Sequence, residues 1–410
     1  MNKLIKLNWN INKIDKCSQT IEKAIRNGNW IELLSKQGQP EIIPEADLPE
    51  GPGFIIKGGG SSGKQFSCLQ TCSNLSRSAL STEEWLIKQG INTKSCSLIN
   101  PLPMNHVSGL MPWWRSKCWS AKHYWLQPSQ LKSPITLEQK FASLLGKKDG
   151  PLLISLVPTQ LHRLIYNQAG IRWLKAFTLI WVGGAFLSKE LAQKARENNI
   201  KLAPCYGSTE TAAMVTAMTP AEFLSGENDC GNPLNDVELS INKCGILKIK
   251  TTRLAIGKCS NGRIESICDE DGWWESGDIA QIKIENNLPR LKIEGRVDTA
   301  INSGGEIIFP EVLEERLLNA AKFHNIPLDK ILLIPIDHEE WGQRLVAIVS
   351  LSDKYSNEFN DQFKSRLEKL VDNWLPAEKP LKWRYCNNLE TTDSGKWERK
   401  KWEYWIINND

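Results

Sequence analysis

Residues 152–157 read LLISLV and run into PTQLHRLIYNQ at 158–168. Residues 177–182 read FTLIWV and stop at Gly183-Gly184, and IKLAPCYG follows at 200–207. Apolar runs of about six residues, closed by Pro or Gly and separated by stretches of helical period, are the pattern of strands buried on both faces with helices between them. Ser188 has the side chain of a helix N-cap, so a helix is expected from there through about Glu197. The strand, helix, strand rhythm predicts parallel α/β layers.

Outward from this block the pattern changes. From about residue 236, short alternating segments (DVELSI, GILKIK, AQIKI) divided by Gly, Asn and Asp turns read as antiparallel β structure. Beyond Arg296 a compact region begins, with a helix expected from Pro310 to Ala321 and strands near ILLIPI and RLVAIVSL. The chain of 410 residues is too long for one ordinary core. We therefore expect an α/β N-terminal domain at 1–297, with a β-rich part, and a smaller α+β domain at 298–410, joined near Val297–Thr299. There is no internal repeat of fixed period.

Composition removes several classes. With 41% hydrophobic and 24% charged residues the chain is compositionally globular rather than disordered. The net charge of +4 is thinly spread, the densest patch being KWERKK at 396–401, so nothing marks a nucleic-acid partner. Eleven cysteines without paired CxxC modules read as reduced thiols of a cytoplasmic protein rather than a zinc site; Cys68 and Cys72 come closest, with three residues between them. The start, MNKLIKLNWNINKIDK, interrupts every apolar run with Lys or Asn, unlike a secretory signal. The longest uncharged stretch, Cys96 to Trp114, contains three prolines and is a poor membrane span.

Five elements carry candidate chemistry. KGGGSSGKQF at 57–66 has glycines at 58, 59, 60 and 63, hydroxyls at Ser61 and Ser62, and Lys64. Glycines let backbone N–H groups approach phosphate oxygens, although a flexible turn fits equally and the P-loop pattern is not matched. YGSTET at 206–211 ends an expected strand, where open parallel sheets bind ligands. There Glu210 could hold Mg²⁺ and Thr209 could donate to an α-phosphate oxygen, while a hydroxyl-rich turn is the plainer reading. WESGDIA at 274–280 offers Asp278 to two ribose hydroxyls, or simply as a turn residue. GRVDTAINSGGEIIFPEVLE at 295–314 sets Arg296, Asp298 and Gly304-Gly305 at the expected domain boundary. TTDSGKWERKKW at 391–402 presents Lys396 after a Ser-Gly turn, or as one more lysine of a basic tail.

Taken in order and with their spacing, these elements resemble the adenylate-forming superfamily of acyl-CoA synthetases, luciferases and peptide-synthetase adenylation domains, over about residues 54–402. The resemblance implies a large N-terminal domain of layered α/β subdomains and a mobile C-terminal domain, with ATP, Mg²⁺ and CoA as reactants. It assigns Gly59, Gly60, Ser61, Ser62, Gly63 and Lys64 to the β- and γ-phosphates. Gly183, Gly184 and Ala185 border the adenine, with Tyr206 stacked near it beside Gly207. Thr209 and Glu210 serve the α-phosphate and Mg²⁺, Asp278 the ribose, and Arg296 the nucleotide. Asp298 becomes the hinge, Gly304 and Gly305 part of the pantetheine tunnel, and Lys396 the adenylation lysine. Two departures stand out. Gln65-Phe66 replaces the Pro-Lys with which the superfamily's loop continues, and the proline usual ahead of the last lysine is missing from LETTDSGK. The N-terminal part is also short for the superfamily, as if a peripheral subdomain had been trimmed.

PMNHVSGLMPWWRS at 103–116 is similar to the corresponding stretch of o-succinylbenzoate:CoA ligases of menaquinone and phylloquinone synthesis, through His106, Ser108, Gly109 and Arg115. An aromatic dicarboxylate suits this segment physically, because one carboxylate is activated while the other needs a charge-assisted anchor. Arg115 and Ser108 are candidates for that anchor. Trp113 and Trp114 are candidates for a wall or for the core, and His106 for a gate or a structural role. The reading is an AMP-forming acid:CoA ligase acting on o-succinylbenzoate. Rivals are a CoA ligase for another aromatic or aliphatic acid, an amino-acid adenylation domain, and an inactive nucleotide-binding homologue. The chain ends at Asp410 with no carrier domain following, which argues against the adenylation domain. The expected partners are a small carboxylic acid, ATP and CoA, and a homodimer stays open.

Overall fold

The computed structural model describes residues 3–10, 14–34, 43, 47–58, 66–146, 150–260, 262–285, 287–352, 355, 359–391 and 397–409. The chain divides into two compact units. The first comprises most of the residues up to Ser276 together with Gln281–Lys292, and the second comprises Gly277–Ala280 and the chain from Ile293 onward.

The apolar runs form the middle of a seven-stranded sheet in the first unit. Its order is Asn232–Pro233, Ala213–Ala217, Leu202–Ser208, Leu179–Val182, Leu152–Leu156, Ser97–Asn100, Lys122–Trp125. The five strands from Leu202–Ser208 to Lys122–Trp125 are parallel, and Ala213–Ala217 turns back antiparallel. Ile99, Ile154, Ile180 and Leu202 lie in register across four of them and are 0 to 1% exposed. Helices Pro158–Ile165, Gln168–Lys175 and Lys189–Glu197 cover this face with Leu161, Leu164, Trp173, Leu174, Leu191 and Ala195. Each fully buried Leu or Ile contributes about 1.5–3 kcal/mol, so the row alone fixes which face is inward. Ser188 caps the last helix, accepting from the Leu191 N–H at 3.2 Å.

A six-stranded sheet joins distant stretches. Leu4–Asn8, Trp30–Leu34 and Gly53–Lys57 run parallel, Ser67–Thr71 returns antiparallel, and Gly257–Ser260 with Arg263–Glu265 completes the edge. Helix Cys72–Ile87 starts directly from the fourth strand, its first turn capped by Thr71. A four-stranded sheet (Val237–Ile241, Ile246–Thr251, Trp274–Glu285, Leu288–Arg296) occupies the region of alternating sequence.

The second unit is α+β. Its sheet has the order Glu306–Ile308, Ile301–Ser303, Gly342–Leu351, Leu328–His338, and Lys382–Tyr385 also pairs with Gly342–Leu351, in parallel. Helices Pro310–Phe323 and Asp361–Leu370 pack on it through Leu313, Leu317, Phe363 and Leu367. Helix Arg399–Asn408 is pinned at its first residue: the buried Arg399 guanidinium bonds both Glu314 oxygens at 2.9 and 3.1 Å and the Leu333 carbonyl at 2.7 Å. No helix among the described residues is long and apolar enough to cross a membrane.

Candidate active site

The parallel strands end together at Asn100, Leu156, Val182 and Ser208, and the loops leaving these carboxyl ends carry His106, Gly183 to Ala185, Thr209 and Glu210, where open α/β sheets bind ligands. Gly183-Gly184-Ala185 leaves one strand beside Tyr206-Gly207 on its neighbour. A Cβ on Gly183 would lie 2.9 Å from Cys205 Sγ and 3.0 Å from its carbonyl, and Gly184 has φ +80°, so both glycines are required by the backbone path. Ala185 is exposed and Tyr206 half-buried.

The turn after Tyr206-Gly207 is tightly folded. A Cβ on Gly207 would meet the Ala213 carbonyl at 2.2 Å and Met214 Cα at 2.4 Å, and Ala212 and Ala213 both take positive φ, 51° and 86°. Two consecutive non-glycine residues in that region store strain that the surroundings must hold. Thr209 is buried and Glu210 half-buried at the head of this turn. The holding groups come from elsewhere. Gln70 Nε2 donates to the carbonyls of Thr209 (2.8 Å) and Glu210 (3.1 Å), and the Ala255 N–H donates to Glu210 at 2.7 Å. Ser78 Oγ donates to the Ala212 carbonyl at 2.5 Å, and the fully buried Arg253 donates to those of Thr211 and Met214 at 3.1 and 2.9 Å. Burial holds the Cys68 thiol well above its ordinary range, and the Glu210 carboxylate adds to that effect while Lys258 opposes it.

Helix Val107–Trp119 leaves the strand Ser97–Asn100 through the 101–106 turn. Gly109 is buried where this helix meets the turn: a Cβ there would lie 2.1 Å from the Pro103 carbonyl. His106 is the N-cap residue, Ser108 is exposed in the first turn, and Arg115 is buried seven residues on, about 10 Å along the axis. Arg115 Nε and Nη2 have no hydrogen-bond partner among the described residues, and the guanidinium lies over the Trp181 ring, 5.2 Å from its centroid. Burial pushes its pKa down to about 10, with the Cys205 thiol opposing and Arg253 adding to the fall, so it stays cationic at neutral pH. A buried, charged and incompletely bonded arginine is costly in a core and suited to an incoming anion. Trp113 and Trp114 are core residues, packed with Phe54, Met104 and Leu110, and Trp114 donates to Ser76. The aromatic surface at Arg115 is Trp181.

In the second unit the structure joins three residues that the sequence offered separately. Arg296 Nη1 bonds Asp278 Oδ1 at 3.0 Å, and its Nε and Nη2 bond the two Asp298 oxygens at 2.8 and 3.3 Å. Asp278 is buried, while the Arg296 side chain is 37% exposed. Gly304 (φ +62°) takes the Trp341 carbonyl on its N–H, and a Cβ there would press on the Trp341 ring. Gly305 (φ +90°) takes Asn302 Oδ1. Gly59, Gly60, Ser61, Ser62, Gly63, Lys64 and Lys396 lie outside the described residues. Flanking residues 59–65 in the chain, the Phe66 ring lies over Gly58, where a Cβ would meet it at 2.3 Å, and Gly58 N–H bonds the Phe66 carbonyl at 2.9 Å.

Sequence reasoning missed Trp181, hidden in an unbroken apolar strand, and the polar set Gln70, Asn74, Ser78 and Arg253. Asn74, Ser78 and Thr82 recur at every fourth residue of one helix and are all buried, a polar stripe that could have flagged them.

Residues 9–246 match the AMP-binding enzyme family. The chain is 30% identical over 308 residues to the 2-succinylbenzoate–CoA ligase of Salmonella typhimurium, covering 75% of this chain and 60% of the relative. To the ligase of that name from Escherichia coli it is 32% identical over 286 residues, 68% of this chain and 56% of the relative. It thus spans somewhat more than half the length of these curated relatives. Among solved structures, the o-succinylbenzoate CoA synthetase of Bacillus subtilis in complex with its acyl-adenylate intermediate superposes with a TM-score of 0.76 at 18% identity, over 98% of this chain and 88% of that one, a likeness of fold. The match over more than half of its residues makes the chain a member of the AMP-binding enzyme family.

Proposed function

We propose that this chain converts o-succinylbenzoate, ATP and CoA to o-succinylbenzoyl-CoA, AMP and diphosphate through an acyl-adenylate, a thioester used in menaquinone or phylloquinone synthesis. The observation that carries the reading is Arg115, a buried guanidinium with Nε and Nη2 unbonded among the described residues, set against an aromatic face near the carboxyl ends of the parallel strands. A monocarboxylic acid would leave that charge unanswered. An aromatic acid with a second carboxylate answers both the charge and the ring. The names of the two similar ligases agree.

In the first step the substrate's other carboxylate attacks the α-phosphorus of ATP in line, forming the acyl–phosphate bond as the bond to diphosphate breaks. Thr209 donates to the α-phosphate, and Lys396 answers the charge growing on the phosphoryl oxygens. Glu210 is the carboxylate that would hold Mg²⁺, which would supply positive charge beside the phosphates. Asp278, with Arg296, binds the ribose, while Gly183 to Ala185 and Tyr206 line the base. In the second step the CoA thiolate attacks the acyl carbon and AMP leaves, the Gly304-Gly305 segment guiding the pantetheine arm after rotation at Asp298. All eleven cysteines are free thiols, which supports a cytoplasmic setting.

Incubating the protein with ATP, Mg²⁺, CoA and a panel of acids, with diphosphate and thioester read by mass, tests the proposal. Thioester should form with o-succinylbenzoate in preference to benzoate, cinnamate or a fatty acid. Preference for a monocarboxylate would reject the substrate, and the absence of diphosphate with every acid would reject the activity.

A further inference from the structure

Four consecutive carbonyls, from Thr209 to Ala212, are each taken up by a donor from outside the turn: Gln70 Nε2 for the first two, Arg253 Nη1 for the third and Ser78 Oγ for the fourth. The donors are themselves fixed. Asn74 Nδ2 bonds Gln70 Oε1 (3.4 Å) and the Leu254 carbonyl (2.7 Å). Arg253 Nη1 bonds Ser78 Oγ at 3.0 Å, and its Nε bonds Asp236 Oδ2 at 2.7 Å. Gln70, Asn74, Ser78 and Arg253 are all 5% exposed or less. In a trans peptide the N–H points opposite the preceding carbonyl, so drawing the carbonyls of Thr209 and Glu210 onto Gln70 turns the N–H groups of Glu210 and Thr211 the other way.

From this geometry we infer that Gln70, Asn74, Ser78 and Arg253 are positioning residues for adenylation. They hold the strained Ala212-Ala213 turn so that Thr209, Glu210 and the outward N–H groups meet the nucleotide phosphates without reorganising. The inference rests on the proposed assignment of Thr209 and Glu210 to the α-phosphate and Mg²⁺. Gln70 touches neither substrate nor ion and acts through the backbone it bonds.

The test uses the full chain with Gln70→Met, close in volume and without donors, beside Glu210→Gln. Three quantities are read: diphosphate release from o-succinylbenzoate and ATP as a function of Mg²⁺, KM for the acid, and thioester formation from synthetic acyl-adenylate and CoA. Misplacing reacting groups by about 1 Å costs up to roughly a hundredfold, so Gln70→Met should lower the adenylation kcat by about 10- to 100-fold. It should also raise the Mg²⁺ concentration needed for half-maximal rate, leaving acid KM and the second half-reaction near wild type. Unchanged adenylation overturns the inference. So does an equal loss in both half-reactions, which is the mark of a merely structural role. Should Gln70→Met fail to fold, Ser78→Ala removes a single hydroxyl and is read in the same way, with an expected loss of about 2- to 10-fold. A defective Glu210→Gln beside a normal Gln70→Met strikes the positioning inference alone, whereas an undamaged Glu210→Gln strikes the site assignment beneath it.

Discussion

Replacing Arg115 with methionine should weaken catalysis and strengthen the fold, and the opposite signs make the test sharp. A hydrogen bond to a charged group contributes about 1.5–3 kcal/mol. Its loss should lower kcat/KM for o-succinylbenzoate by roughly 10- to 150-fold. The loss should largely vanish for an analogue lacking the second carboxylate, since that analogue never engages the guanidinium. Stability should move the other way. Burial holds the Arg115 pKa down at about 10, below an ordinary arginine, so the charged form is penalised in the folded chain at every pH below that value, and the penalty fades only as the pH rises through it. For a fully buried charge that penalty is on the order of a few kcal/mol, an upper limit to what methionine can recover. Thermal melts at neutral pH, with no ligand present, should therefore show Arg115→Met no less stable than wild type and up to several degrees more stable. Equal kinetic losses on the dicarboxylate and its analogue, or a melt lowered by several degrees, would show that Arg115 serves packing and would refute the anchor.

Lys396→Ala should slow thioester formation from acid and ATP by about 10² to 10³, by analogy with removing one preorganised donor from a developing charge, yet be near normal from synthetic acyl-adenylate. Equal slowing of both half-reactions would remove Lys396 from the adenylation step. With Phe66 packed on Gly58, the phosphates lack the cation usual at that position, so Lys64→Ala should raise KM for ATP and leave AMP binding nearly unchanged; unaltered ATP kinetics would argue against a phosphate role. Burial alone would raise the Asp236 carboxyl, but Arg253, Ser81 and Thr251 outweigh it and hold it below the ordinary range. Its stabilisation is thus present above the unfolded carboxyl's pKa and lost as pH falls through the folded one. Asp236→Asn should be destabilised at pH 7, by about 1.5–3 kcal/mol, with the gap closing in urea titrations as the pH falls below the ordinary carboxyl range; a gap independent of pH would contradict this.

The strands at 152–156, 179–182 and 202–208 were legible because burial on both faces leaves an uninterrupted apolar run that needs no partner to be recognised. The six-stranded sheet was not. Ser67–Thr71 contributes the buried polar residues Ser67 and Gln70, and its neighbour is Gly257–Ser260, far along the chain; such pairing has no local signature. Arg115 could be singled out because the 103–116 segment resembles that of o-succinylbenzoate:CoA ligases and a second carboxylate needs a cationic anchor. Trp181, the surface on which it lies, could not, because a tryptophan in a buried strand reads as packing. The same holds for Gln70 and Arg253, whose role exists only once the carbonyls they bond are seen.

The long span between Ser67–Thr71 and Gly257–Ser260 bears on how the protein is made. These strands pair edge to edge, so during synthesis Ser67–Thr71 waits for a neighbour that lies more than 180 residues downstream. At roughly 5–20 residues per second that wait lasts about 10–40 s. Throughout it, a strand carrying Cys68 and Leu69, both wholly buried in the finished fold, presents unsatisfied backbone groups to any other nascent chain. A ribosome that stalls, or a gene cut short anywhere between about residues 210 and 250, would release a polypeptide with that edge permanently open. Such fragments should collect as aggregates and as chaperone clients even though most of the parallel sheet is already encoded in them.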